Sequence, residues 1–455
     1  MSRISWERAA ARVVVGSFVV ALAAAVASAA AAEPPADAVP ASDAANTTAE
    51  SDLLDNPSLR ELVDYATRHN PGIRAARFEM EAARKRIVSQ SWYENPTVIY
   101  APDTGARVET RAGAQANGVQ VSQAIPFPGK LTLKGRVEED RANALSEVLR
   151  ATIQEVSRQV RARYADYYLA ARSLVINAET TDLTQQFSDV AQAKYRVGTA
   201  AQQDVILVQE QLSRLRTERI VFRSQLETAR GALNALLDRA PRAALGPPAN
   251  LSVAPLDAPL ARLLELADRD RPELRSQDHL VEASDHSLAL ARMGYLPDFK
   301  LVGQWTGIEG GTNPGFSRDG RDVWEVKLGF SVPLWLNRIG ADVDEKEARM
   351  RREKSRRRDL TNRVRDQVQR HYERLVAAVR TEEIYRNTLI PQTTARIAAA
   401  RAGYQTGDVD FLTLIDSLRS LEDVRLQRDR AVRDYQRSAA DLERAVGRPI
   451  PGLLP

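Results

Sequence analysis

Three stretches of the chain repeat apolar side chains every three or four residues. Leu149, Ile153, Val156, Val160, Tyr167, Ala170 and Leu174 form one seam. Val205, Val208, Leu212, Leu215, Phe222, Leu226, Ala229, Leu233 and Leu236 form a second, broken at Arg219. Leu414, Leu421, Val424, Ala431, Tyr435, Leu442 and Ala445 form a third, broken at Arg428. This spacing predicts helices that supercoil against neighbours. Residues 131–195 contain no Pro, and their one Gly is Gly135. At 1.5 Å per residue such a helix reaches roughly 100 Å. A lone helix of that length has no core of its own. It must pack against a partner helix, a repeat or another subunit.

Elsewhere the period changes to two. Trp324, Val326, Leu328, Phe330 and Val332 alternate with Glu325, Lys327, Gly329 and Ser331. Phe299, Leu301, Gly303 and Trp305 alternate, less cleanly, with Lys300, Val302, Gln304 and Thr306. Val119, Val121, Gln123 and Ile125 alternate with Gln120, Ser122 and Ala124, and residues 97–101 form a weaker strand. Residues 307–322, with five Gly, predict a long loop. Such strands suit either a half-buried soluble sheet or a membrane barrel with apolar side chains outside. In lipid, four strands cannot close and open edges are not tolerated. Two chains would supply eight strands and three would supply twelve; this arithmetic leaves the choice open.

The two patterns occur twice, in the same order. Leu62-Val-Asp-Tyr-Ala66 faces Leu263-Leu-Glu-Leu-Ala267, and Asn70-Pro71 faces Arg271-Pro272. The offset holds without gaps to Pro96 and Pro297. At a second offset Tyr195-Arg-Val-Gly198 matches Tyr404-Gln-Thr-Gly407, and Leu212, Leu233 and Arg239 match Leu421, Leu442 and Arg448. Each unit reads as a helix of about 25 residues, a strand pair, a very long helix, a Tyr-x-x-Gly turn and a second helix. The expected layout is a first repeat over residues 57–250, with strands at about 97–126, and a second over 251–448, with strands at about 298–333. A tail follows at 449–455.

Composition narrows the function. Among 455 residues there is no Cys, which excludes disulfides, thiolate metal sites, cysteine nucleophiles and a lipidated N-terminal Cys. Net charge is +4, too small for a nucleic-acid footprint. Arg3, Arg8 and Arg12 precede an apolar run at residues 13–27 and then small residues, so residues 1–32 read as a signal peptide, with a membrane anchor as the alternative. Residues 33–56, rich in Ala, Pro, Ser and Asp, read as a flexible linker. The basic run at residues 349–358 reads as a solvated helix face. Gly129-Lys130 lacks the remainder of a phosphate loop. His69, His279, His286 and His371 lack the paired spacing of a zinc motif. No Ser/His/Asp grouping has motif context. The expectation is a protein that is not an enzyme and needs no cofactor or resident metal. The rivals are a periplasmic coiled-coil structural protein without a barrel and a secreted hydrolase.

The duplicated layout, Pro96 and Pro297 at the strand entries, the exit Gln123-Ala-Ile-Pro-Phe-Pro-Gly-Lys130 and the two Tyr-x-x-Gly turns together resemble the TolC family of outer-membrane efflux channels. The resemblance spans about residues 59–447. It implies a mainly α fold with a membrane β-barrel part: two tandem repeats, three chains forming a 12-stranded barrel on an α-helical tunnel. It implies the outer membrane of a Gram-negative bacterium, extension into the periplasm, contact with outer-membrane lipid, a periplasmic adaptor and an inner-membrane pump of the RND type. Nucleic acid is not among the implied partners. The Pro-Phe-Pro-Gly-Lys exit looks most like members serving heavy-metal pumps of the cobalt–zinc–cadmium or copper–silver type.

By the same resemblance, Val197, Gly198, Thr199, Thr406, Gly407 and Asp408 are the adaptor-docking tips. The periplasmic gate takes Asp204 as acceptor and Tyr404 as donor of a bond between neighbouring hairpins. Asp416 matches an aspartate pointing into the narrow mouth, where three copies would form a cation-attracting ring. Where well-known members carry an Arg two residues past the second turn glycine, this chain has Val409, so the resemblance does not carry over the salt-bridge part of that lock.

Overall fold

The computed structural model describes residues 58–102, 109–110, 113–309 and 320–453. The signal-peptide and linker segments, residues 1–32 and 33–56, lie outside them. The described residues form two copies of one helix–strand–helix unit. The first has α1 (Leu59–His69), α2 (Pro71–Ser91), β1 (Thr97–Ala101), β2 (Glu109–Thr110), β3 (Gly113–Ile125), α3 (Lys130–Arg196) and α4 (Gln202–Leu236). The second has α5 (Leu260–Asp270), α6 (Pro272–Arg292), β4 (Phe299–Glu309), β5 (Val323–Phe330), α7 (Leu336–Ile384), α8 (Ile390–Thr406) and α9 (Phe411–Val446). α1 and α5 both have 11 residues, and α2 and α6 both have 21.

The expected entry helix is split in two in each unit. Pro71 and Pro272 push the residue before them out of the helical region, to ψ 124° at Asn70 and 118° at Arg271. Asn70 then caps α2, its Oδ1 accepting from the Gly72 and Ile73 amides. Its Nδ2 donates to the Leu236 carbonyl at 2.9 Å. In the second unit Arg271 Nη1 donates to the matching carbonyl, Ala445, at 2.8 Å. Duplication has therefore kept the contact while changing the residue. The left-handed residue that follows is also kept, as Asp238 (φ 58°) and Gly447 (φ 86°). Only the second site demands glycine, because a Cβ on Gly447 would stand 2.7 Å from Arg271 Cα.

Each unit has its own core. Leu62, Ile73, Val160, Tyr164, Leu233 and Leu237 pack together in the first, and Leu263, Leu274, Val364, Val368, Tyr435 and Leu442 in the second. The tail is part of this packing. Leu453 is buried, and its carbonyl accepts from Tyr435 Oη at 3.0 Å. α3 runs unbroken for 67 residues, about 100 Å. Its counterpart is interrupted by a π-helical turn, Tyr385–Leu389, just before Pro391. Proline lacks an N–H and crowds the carbonyl four residues back, which the wider turn relieves. The α4 seam is buried at Val208, Leu212 and Leu215 but only half-buried at Phe222, Leu226 and Ala229.

The strands form one antiparallel sheet in the order β1-β3-β4-β5, with β2 a short flap on β3. β3 begins six residues earlier than its alternation, at Gly113, with an irregularity between Gln115 and Gly118. β5 ends at Phe330, short of Val332. The Ser331 amide donates to the Asp298 carbonyl at 2.8 Å, and Pro333 cannot extend the ladder. Among the described residues, no helix is long and apolar enough to cross a membrane.

Candidate functional site

The sheet sorts its side chains by face. Residues paired across an antiparallel ladder share a face, so the register places Tyr100, Val119, Trp305 and Trp324 in one row and Ile125, Phe299 and Phe330 in another. Between these rows lie Val98, Val121, Leu301, Val326 and Leu328, with Gln123 and Gly303 the exceptions. The opposite face carries Gln120, Ser122, Lys300, Gln304, Thr306, Glu325 and Lys327, with Ile99, Val302, Ile308 and Val323 as its large apolar members. There Lys327 Nζ bonds Gln304 Oε1 at 3.0 Å and pairs with Glu325 at 2.8 Å. The apolar face is uncovered: Trp324 is 74% exposed, Val326 81%, Leu328 70% and Phe330 67%. From Trp324 to Phe330 the band spans about 20 Å at ~3.3 Å per residue, close to the ~25 Å apolar belt of an outer-membrane barrel with its aromatic girdles. The outer edges of β1 and β5 have no ladder partner among the described residues.

Strand exit and strand entry are tied across the repeats. Gly129 takes φ 97°, which turns the chain into α3. Lys130 Nζ then donates to Asp298 Oδ1 at 2.8 Å and to the Leu296 carbonyl at 3.1 Å. The Phe127 amide donates to the same Asp298 oxygen at 2.7 Å, and the Phe127 and Phe299 rings stack. The Pro-Phe-Pro-Gly-Lys segment thus fixes where the sheet meets the helices.

At the other end of the helices lie two tight turns. Residues 197–201 join α3 to α4, and residues 407–410 join α8 to α9. Gly198 and Gly407 take φ 76° and 91°. Val197 is exposed, and the Thr199 amide and hydroxyl both donate to the Lys194 carbonyl. In the second turn the amides of Gly407, Asp408 and Val409 all converge on the Gly403 carbonyl. Thr406 Oγ1 donates to Asp408 Oδ2 at 2.6 Å, and Asp410 caps α9 by accepting from the Thr413 amide. Val409 folds inward; a Cβ on Gly403 would meet its Cγ2 at 2.5 Å. The side chain that replaces the expected arginine is thus spent on packing.

The structure brings Tyr404 and Asp204 together. Tyr404 Oη donates to Asp204 Oδ2 at 3.2 Å, joining the two hairpins of one chain. Burial, then the Asp204 charge and this bond, push the Tyr404 phenol up to about 12, so it stays a neutral donor. Asp204 lies in the first turn of α4, where the helix dipole favours its charge. Asp416 stands apart from this pair, exposed on α9, with Arg419 Nη1 3.8 Å away. Three supporting residues are absent from the sequence reading. Lys194 Nζ bonds the Tyr404 and Gln405 carbonyls and sits 4.5 Å over the Tyr404 ring. Phe411 meets that ring edge-on at 5.1 Å, and Gly403 supplies the carbonyl on which the turn closes. A basic residue in the last turn of α3 was the available signal for Lys194.

The run at residues 349–358 lies on α7 among carboxylates. Arg349 pairs with Glu345, Arg351 with Glu347, Arg352 and Arg356 with Glu353, and Arg357 with Asp278. Its charge is largely neutralised in place, as a solvated face requires.

Known proteins match both repeats. The family model described as outer membrane efflux protein matches residues 62–239 and 263–448. Outer membrane protein OprJ of Pseudomonas aeruginosa is 24% identical over 415 residues, which covers 85% of this chain and 84% of OprJ. Among solved structures, CusC, described in terms of transmembrane channel formation, superposes with a TM-score of 0.73 at 19% identity, over 87% of this chain and 93% of CusC. The outer membrane protein VceC of Vibrio cholerae gives 0.72 at 14% identity, over 86% and 96%.

Proposed function

The chain belongs to the outer membrane efflux protein family, and on that premise we propose how its parts divide the work of an outer-membrane exit duct. The observation that carries the proposal is the one-sided sheet. Its apolar, aromatic-rimmed face is uncovered and, among the described residues, both outer edges are open, a state that neither water nor lipid favours. Edge-to-edge joining with sister chains removes both defects, and three chains supply a twelve-stranded barrel. The long helices then continue the duct into the periplasm, and the half-buried α4 residues Phe222, Leu226 and Ala229 pack against a neighbouring chain. A periplasmic coiled-coil protein without a barrel would leave Trp324, Val326 and Leu328 in water.

In this reading the protein performs no chemistry and consumes no energy. Val197, Gly198, Thr199, Thr406, Gly407 and Asp408 meet a periplasmic adaptor, and an inner-membrane pump of the RND type drives cargo. The Tyr404–Asp204 bond holds the hairpins together at rest, and adaptor engagement separates them. Asp416 biases the mouth toward cations. Heavy-metal cations are the cargo suggested by the strand exit at residues 126–130. Deleting the gene and scoring resistance to zinc, cadmium, cobalt, copper and silver salts, against dyes and detergents, tests the cargo. Sensitivity to metals alone supports it, and sensitivity to organic compounds alone refutes it. Recovery of the chain from outer membranes as a heat-modifiable trimer tests the duct; recovery as a soluble monomer contradicts it.

A further inference from the structure

We propose that Asp140, His279 and Glu282 form a binding site for a divalent transition-metal ion of the zinc type, stitching the first repeat to the second. Asp140 lies on α3 and the other two on α6. Their donor atoms all lie within 4.8 Å of one another. Donors around a zinc ion with bonds of ~2.0–2.2 Å stand roughly 3–3.5 Å apart, so a small rotation of the solvent-exposed Glu282 completes the set. One imidazole and two carboxylates, with a coordination position left for water, suit zinc better than calcium or magnesium, which favour all-oxygen shells.

Two features separate this cluster from an ordinary charged surface. First, His286 Nδ1 lies 2.7 Å from Asp140 Oδ2, which holds the carboxylate in place and leaves its other oxygen for an ion. His279 and His286 are seven residues apart, two helical turns, so both lie on the α6 face toward Asp140. Second, four nearby carboxylates have cationic partners, whereas Glu139, next to Asp140, has no ion pair among the described residues. Glu138 pairs with Arg141, Glu147 with Arg150 and Arg275, Asp278 with Arg357, and Asp285 with Lys354. Asp140 and Glu282 have only histidines as ionic partners among the described residues. The site is ten residues into α3, about 15 Å from the start of that helix. A bound ion there would clamp α3 to α6 close below the sheet.

The full mature chain, purified as its native oligomer without a polyhistidine tag, is titrated with zinc chloride and then with cobalt chloride. The expected result is saturable uptake of one ion per chain, visible d–d absorption from cobalt, and a raised thermal midpoint. His279→Gln and, as a surface variant that cannot disturb packing, Glu282→Gln each weaken uptake at least tenfold and abolish the thermal shift. His286→Gln weakens it by about 10- to 100-fold, the usual effect of losing a group that orients a ligand. His69→Gln changes nothing. No saturable uptake by the wild type, or equal uptake by the wild type and Glu282→Gln, overturns the site. The outcome is independent of the duct reading, since conduction and trimer formation are not the readout.

Discussion

Tyr404 and Asp204 are joined across 3.2 Å, a polar bond that links the rim of one hairpin to the rim of the other within a chain beside those from Lys194 Nζ to the Tyr404 and Gln405 carbonyls. Phe411 and Lys194 fix the phenol ring from two sides, so the donor is held in place. A hydrogen bond to a carboxylate contributes about 1.5–3 kcal/mol when buried, and solvent at the half-buried Asp204 brings this down to about 0.5–1.5 kcal/mol. Tyr404→Phe removes the donor and keeps the packing. Single-channel recordings in lipid bilayers should show closed intervals shortened by roughly 2- to 10-fold. Unchanged gating would separate this bond from the gate.

The two turn glycines face open space, since a Cβ on Gly198 or Gly407 would meet nothing within 4 Å. Substitution there acts through the backbone alone. Gly407→Ala should cost about 1–2 kcal/mol locally. Gly407→Pro, which also removes the amide that bonds Gly403, should impair export while trimer and membrane insertion persist. The same is expected of Gly198→Pro, whose amide bonds the Tyr195 carbonyl. Drug or metal resistance and adaptor crosslinking report the outcome, and normal values in both variants remove the turns from the docking surface.

Asp416 is exposed and only loosely paired with Arg419. If three copies face one mouth, Asp416→Ala lowers the preference for cations. Reversal potentials under a salt gradient should move toward zero, and the effect should shrink at high salt, where screening is strong. Identical reversal potentials would place Asp416 outside the mouth.

Glu422 on α9 is buried beside Glu218 of α4, with Arg214 and Asp423 nearby. Burial first, and then the Glu218 charge, push its carboxyl up to about 7. The folded protein therefore holds a proton that the unfolded chain has released. Its contribution to stability is full below the ordinary carboxylate range and is lost as pH rises through 7. Glu422→Gln should stabilise the protein at pH 8 by on the order of 2 kcal/mol and flatten this part of the pH profile. Thermal unfolding at pH 5 and pH 8 makes the comparison; a variant equally affected at both values contradicts the assignment.

Much of this fold was legible because its periods are long and clean. The duplication could be read from Leu62 against Leu263 and Tyr195 against Tyr404, and the paired helix lengths follow from it. The start of β3 was not legible. Residues 113–118 are Gly, Ala, Gln, Ala, Asn and Gly, with no apolar alternation, and only pairing with the neighbouring strands makes them a strand. The split entry helices were signalled by Pro71 and Pro272, but the 3.6-residue period runs through them and masks the break. At the hairpin tips, the family resemblance offered Tyr404 and Asp204, and the structure brings the two within hydrogen-bond distance. Lys194 was hidden because its role depends on how two hairpins separated by some 200 residues meet, and Gly403 and Phe411 because theirs depend on how the second turn closes. His279 and His286 match no zinc motif in sequence, since their shared neighbour, Asp140, comes from the other repeat.

The central claim is that β1 of one chain pairs with β5 of another. The sequence has no Cys, so introduced pairs report without background. Ile99→Cys is combined in turn with Glu325→Cys, Lys327→Cys and Gly329→Cys, to cover the registers open to the joint. Oxidation of the membrane-inserted protein should give, for one of these pairs, a covalent ladder that ends at three chains. Crosslinks confined to single chains, or a ladder that ends at two or continues past three, would contradict the twelve-stranded barrel.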